Sequence, residues 1–407
     1  MAHHETARRN PAFIPGWALV VAGLAAVLAV ALPARAQADW EPVVGGGAAV
    51  GNGFGSPANE GATAMAVFNG QLFVAAGGET GSAFVMRSSA NGVSWDVVTD
   101  DGFGDAANQV VLAMAVFDGY LYAGTTNAAT GAEIWRLSNG TTWEQVNSDG
   151  FGSPATTAVV ALAVFDGVLF AGTENQSIGG GIYRSPDGTN WIPTMIGGFG
   201  DAANRAVASL AGYGSRFYAG TFKESTLFNQ PGELWWTEDF VTWNGASAPG
   251  FGDTYNVAIV SLEPFDGYLF AGTSQPNFLF GDGCEVWRWD GATWIMVSVP
   301  GFGSSYSTTA VRLAEHLGEL YVGVDHQSSG GAKLFRYLGP MSWLPETDDG
   351  FGDTGNSAIA SLASFNGSLY GGTLNQAEGC EVWRQAGAAF ADGFESGDTS
   401  AWSATVP

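Results

Sequence analysis

Seven equivalent positions spaced by about fifty residues include six with groups able to grip a ligand. They are Gly78, Asn127, Asn175, Lys223, Gln275, His326 and Asn375, each two residues after the threonine position of an "AGT"-like run. Six of the seven can hydrogen-bond, and a ring of such groups suits a sugar or a peptide. Two neighbouring loops are longer than the rest, "FKESTLFNQPG" (222–232) and "SQPNFLFGDG" (274–283). They add Phe222, Phe228, Asn277, Phe278 and Phe280 to the candidate binding set. Long loops often carry function, and aromatic side chains there suit stacking on a sugar or anchoring in a partner.

Catalytic chemistry is less well supplied. Asp325, Asp282 and Glu174 are the carboxylates best placed for acid–base work on a glycan, which needs two of them across a cleft. His326 stands beside Asp325, but no Ser-His-Asp spacing surrounds it. His316 falls at a core phenylalanine position and is expected to be structural. No catalytic residue is assigned.

The elements that must position these groups follow from one period. "GFG" has its phenylalanine at 54, 103, 151, 199, 251, 302 and 351, which makes seven copies of one unit. Repeats of this length mark propellers or solenoids. In the second copy "VVLAMAVF", "YLYAGT", "AEIWRL" and "TTWEQV" read as short strands. Asp118-Gly119 and Asn139-Gly140 supply hairpin turns. The sequence therefore predicts an all-β, seven-bladed β-propeller with four-stranded antiparallel blades.

A tryptophan opens the fourth strand at 95, 143, 191, 243, 294 and 343, and the seventh copy lacks one. Trp40 in "DWEPVV" is expected to close the ring from the N-terminal side, with "GGGAAVG" as an insertion; Trp402 is the rival. The GFG loops become joints between blades. The Asp or Ser after each, and the Asn, Thr or Ser three further on, suit side-chain-to-backbone turns. Calcium held by these loops is the alternative. Serine replaces aspartate in three copies, which favours architecture, so no cofactor is expected.

Residues 1–38 read as a signal peptide: Arg8 and Arg9, an apolar run from Trp17 to Leu32, then "ARAQA". The propeller is expected over 39–388 and a flexible tail over 389–407. The protein should then be secreted, periplasmic or extracellular, with no membrane insertion after cleavage. Residues 1–38 hold three arginines and one glutamate, so their loss leaves 11 basic against 38 acidic residues, a net charge of −27. That surface repels nucleic acid.

Cys284 and Cys380 occupy the same repeat position, before "EVWR". Separated by a whole blade, they are expected to be free, buried thiols in a monomer.

"LYAGT", "GAEIWR" and "NGTTW" resemble kelch and Asp-box propeller repeats, and "SPDGTNW" (185–191) is similar to an Asp-box one residue short. Glycine doublets, as in kelch repeats, appear at Gly77-Gly78 and Gly371-Gly372. The resemblance covers about 39–386 and implies a fold, not a reaction, because Asp-box repeats occur in sialidases and in many non-enzymes. Sialidases use three arginines on a substrate carboxylate. Here Arg87, Arg136, Arg184, Arg288, Arg336 and Arg384 share one repeat position, which reads as architecture. "FADGFESGDTSAWS" (390–403) resembles short C-terminal tails of secreted bacterial proteins. The expected function is a non-catalytic binding module for a glycan or a protein. The alternatives are a glycan-active hydrolase or lyase, and a calcium-stabilised surface protein.

Overall fold

The hairpin turns fold as their residues dictate. Asp118 and Gly119 both take positive φ, at 47° and 78°, and Phe117 pairs with Tyr120 across them. This double left-handed turn matches the twist of the strands it joins. Asn69-Gly70, Asp166-Gly167, Asp266-Gly267 and Asn366-Gly367 repeat it. A sixth copy uses Leu317-Gly318, where a leucine is held at φ 49°.

The computed structural model describes residues 39–78, 81–223, 230–276, 281–327 and 330–386. Within them the chain is all-β, with short 3-10 turns at the joints. Strand pairing groups the strands into seven antiparallel units of four. In the second unit Val110–Phe117 pairs Tyr120–Thr126, which pairs Ile134–Leu137, which pairs Trp143–Gln145. The first strand of each unit packs against the first strands of the units before and after it, and that of the seventh packs against Gly61–Phe68 of the first. The result is a closed β-propeller.

Closure uses the N-terminal strand. Trp40–Val44 pairs antiparallel with Val382–Gln385, with Trp40 opposite Gln385. The Trp40 indole N–H donates to the Glu346 carbonyl at 3.1 Å. Trp294 does the same to Ala246 and Trp343 to Val297, so Trp40 fills the seventh fourth-strand site. The insertion after it turns on Gly45, Gly46 and Gly47, all at positive φ. Trp402 lies outside the described residues.

Each GFG phenylalanine sits between the third and fourth strands of the unit it introduces. Phe251 stacks on Trp287 at 4.8 Å and packs against Trp294 at 5.1 Å. Phe103, Phe199 and Phe351 treat Trp135/Trp143, Trp235/Trp243 and Trp383/Trp40 alike. All seven phenylalanines have φ between 52° and 65°. A left-handed non-glycine residue costs about 1–2 kcal/mol. Aromatic pairs contribute about 0.5–1.5 kcal/mol each beyond the area they bury.

The repeated arginines lie on the units as architecture. Arg136 pairs with Glu144, Arg336 with Glu319 and Glu346, and Arg384 with Glu41.

Leu317 is 69% exposed and strained in a turn where two other copies hold asparagine. Leu317→Asn should raise unfolding stability by about 1 kcal/mol. Urea denaturation checks this: the midpoint rises and the slope stays fixed.

Candidate functional site

Joint chemistry claims most of the predicted mouth residues. In the second unit the Asp105 carboxylate accepts from the Ala107 amide, and the Asn108 side chain donates to the Gly102 carbonyl. Asn108 also donates to buried Glu133 at 2.6 Å, and Glu133 accepts from the Trp135 indole at 2.8 Å. The same Asn–Glu–Trp set recurs as Asn204–Glu233–Trp235, Asn256–Glu285–Trp287 and Asn356–Glu381–Trp383. Burial raises the carboxyls of Glu133 and Glu285 above the usual range, and the asparagine and tryptophan donors pull them back.

Asn127 donates to Asp105 and Asn108 and caps the amides of Ala129 and Thr130. Asn375 does the same with Asp353, Asn356, Ala377 and Glu378. Asn175 donates to Thr156 and caps Ser177 and Ile178. Gln275 spans Asp253, Asn256 and the Gly283 amide. Lys223 binds Asp201 at 2.9 Å and Glu233 at 2.8 Å. Phe222 is half-buried and lies in strand register with Ala206 and with Ala258 of the next unit. His326 is buried, with Gly330 against its ring and Tyr306 6.0 Å away. These hydrogen bonds of Asn127, Asn175, Lys223, Gln275 and Asn375 thus run to their own joints and loops. Phe228, Asn277, Phe278 and Phe280 lie outside the described residues.

The carboxylates named for catalysis are dispersed. Asp325 is buried and accepts from Thr308, Thr309 and Gln327; burial raises its carboxyl and those donors lower it. Glu174 is paired with Arg205 at 2.6 Å. Asp282 is exposed. Among the described residues no three His, Cys, Asp or Glu side chains gather as a metal site. Both cysteines are free and fully buried. Burial pushes the Cys284 thiol well up and that of Cys380 to about 12.

The unforeseen feature lies on the axis. Residues from the first strands of all seven units line a cavity of about 330 Å³. One lining column reads Ala64, Ala113, Ala161, Ser209, Ser261, Arg312 and Ser361, set by register opposite Ala75 or a glycine. Two residues on, a second column reads Ala66, Ala115, Ala163, Ala211, Glu263, Ala314 and Ala363. Small residues keep the axis open. Adjacent units five and six break both columns with Glu263 and Arg312, and Glu315 lines the same cavity.

Arg312 is surrounded by protein yet keeps a half-buried surface because it faces the cavity. Desolvation lowers its pKa, opposed by Glu263. Desolvation pushes the Glu263 carboxyl up to about 7; the Arg312 charge opposes that shift, the Glu315 charge adds to it, and a hydrogen bond from the Glu315 backbone amide lowers it. The signal was present as two charges in columns of small residues. It lay inside runs that otherwise read as plain core strand.

A carboxyl raised in the folded state binds its proton more tightly there than in the unfolded chain. Stability is then lost as pH rises from about 4.5 to about 7. Glu263→Gln should match wild type in thermal midpoint at pH 4 and exceed it at pH 8, by up to about 3 kcal/mol. Calorimetry across that range checks the sign; a difference independent of pH contradicts it.

No protein-family model and no curated protein matches this chain. Solved structures match its fold. The extracellular domain of a hybrid two-component system from B. thetaiotaomicron aligns with TM-score 0.56 and 14% identity over 85% of this chain. The chain spans 39% of that neighbour's length. The WD40 repeats of RRP9 align with TM-score 0.55 and 14% identity over 86% of this chain and 99% of theirs. Both likenesses are to the β-propeller fold.

Proposed function

We propose that this protein is a non-catalytic binding module working outside the cytoplasm as a monomer. Its contact surface is the pair of long loops on the fourth and fifth units, and its ligand is a glycan or a protein. The carrying observation is how the ends of these loops are held. The first loop leaves from Lys223, whose ammonium is clamped between Asp201 and Glu233, and Glu233 stands where the loop returns. The second leaves from Gln275, whose side chain bonds the preceding joint and the Gly283 amide at the loop's return. Neighbouring strands join the two roots, because Phe222 of the fourth unit is in register with Ala258 of the fifth. A surface mounted on fixed roots loses less entropy on binding.

The signal-peptide pattern of residues 1–38 supports a site outside the cytoplasm, as does the extracellular setting of one propeller neighbour. Among the described residues no helix is long and apolar enough to cross a membrane. The kelch-like and Asp-box-like character of the repeats belongs to the same reading. In "SPDGTNW" the Asp187 carboxylate accepts from the Asn190 side chain, from the backbone amides of Asn190 and Thr189, and from the Ser185 hydroxyl, which holds it well below the usual carboxylate range.

The test is thermal stability against a panel of polysaccharides, with and without calcium. A ligand of the folded state raises the midpoint. At least one glycan should do so, and Phe278→Ala should remove the shift by weakening binding about tenfold or more. Binding unchanged in Phe278→Ala contradicts the assignment of the loops. A shift with calcium alone supports the structural alternative instead.

A further inference from the structure

The axial cavity holds a charge arrangement that the ring itself does not need. Six units close the channel wall with alanine or serine where the sixth has Arg312. Six use alanine where the fifth has Glu263. The walls are held by other bonds between neighbouring first strands. The Ser209 hydroxyl donates to Ile259, the Ser361 hydroxyl to Ala62 and the Thr63 hydroxyl to Val111, and the Leu313 amide donates to Ser261.

Arg312 and Glu263 are not joined to each other. Among the described residues the guanidinium has no hydrogen-bond or ion-pair partner, and Glu263 acts on it through space. A deeply placed guanidinium presents five donors in a planar fork. On the cavity wall these donors face the cavity and not a protein acceptor, which suits an anion there. A planar carboxylate fits the fork with two parallel hydrogen bonds. Glu263 and Glu315 line the same cavity and supply acceptors for a cation. Lining by alanine, serine, leucine and methionine leaves room between these poles. A cavity of about 330 Å³ is at the lower end of the range for small-molecule sites, roughly 300–1,000 Å³.

We propose that the channel binds a small zwitterion of the amino-acid class, its carboxylate on Arg312 and its ammonium group on Glu263 and Glu315. The proposal is independent of what docks on the long loops. The other charged or titratable group near this wall is His316, whose ring bonds the Ser364 hydroxyl at the cavity edge.

The repeat itself provides the variants. Arg312→Ser and Glu263→Ala install residues that other copies already carry at these positions, so both should keep the fold, checked by circular dichroism and thermal midpoint. The purified protein is titrated calorimetrically with the common L-amino acids. Each amino acid that binds is then compared with the amine lacking its carboxylate and the acid lacking its ammonium group. At least one amino acid should bind, with both truncated analogues weaker by about tenfold or more. Arg312→Ser should abolish binding of the amino acid and of the acid. Glu263→Ala should weaken the amino acid while sparing the acid. The proposal is overturned if no amino acid binds, if binding survives Arg312→Ser, or if the acid alone binds as tightly as the amino acid.

Discussion

The whole ring depends on a pair of backbone hydrogen bonds made seven times. A small residue just before each third strand donates its N–H to the carbonyl at the end of the next joint, and its own carbonyl accepts from the N–H of the first glycine of that joint's GFG. Ala83 does so with Asn108 and Gly102, Ala132 with Thr156 and Gly150, Gly180 with Asn204 and Gly198, and Gly232 with Asn256 and Gly250. Cys284 pairs with Ser307 and Gly301, Ala332 with Asn356 and Gly350, and Cys380 with Asn59 and Gly53. The last pair joins the seventh unit to the first joint. Only a small side chain fits. A Cβ at Gly180 would sit 2.6 Å from the Thr173 carbonyl, and at Gly232 2.8 Å from that of Thr221. The two cysteines are therefore small buried residues of the joint, with no chemistry of their own required. The left-handed phenylalanine follows as well. To present that glycine amide the chain must turn sharply, and the ring that follows is held by the aromatic groups of two strands.

Much of the architecture was legible because the period, the Asp-Gly and Asn-Gly turns and the tryptophans are local signals. The role of Trp40 was legible by subtraction, as the one fourth-strand tryptophan missing from the seventh copy. Asn127 and Asn375 were harder. Their polarity suggested a mouth open to ligand, but each bonds an aspartate 22 residues earlier in the joint. That contact exists only once the second strand has been folded back beside the joint. The Asn–Glu–Trp sets were hidden for the same reason: Glu133, Glu285 and Glu381 are buried beside asparagines 25 to 29 residues away, a contact that only the folded joint creates.

The axis shows the limit of reading a repeat by what recurs. Alignment of the first strands puts Arg312 and Glu263 in columns of alanine and serine, so the anomaly is in the sequence. What the sequence lacks is adjacency. The two residues lie 49 positions apart in neighbouring units, and only closure of the ring makes both line one cavity. A frame held both by repeated joints and by hydrogen bonds between neighbouring first strands can carry such exchanges, because neither Arg312 nor Glu263 takes part in those bonds. The variation falls where the frame tolerates it, on the channel wall and in the loops of units four and five.

Amide hydrogen exchange at Ala83, Ala132, Gly180, Gly232, Cys284, Ala332 and Cys380 tests this account most directly. If the seven joints close one cooperative ring, all seven amides should exchange only through global unfolding, with the same protection. Early exchange at Cys380 alone, with the other six protected, would show that the seam formed by the N-terminal strand opens independently and would contradict the account.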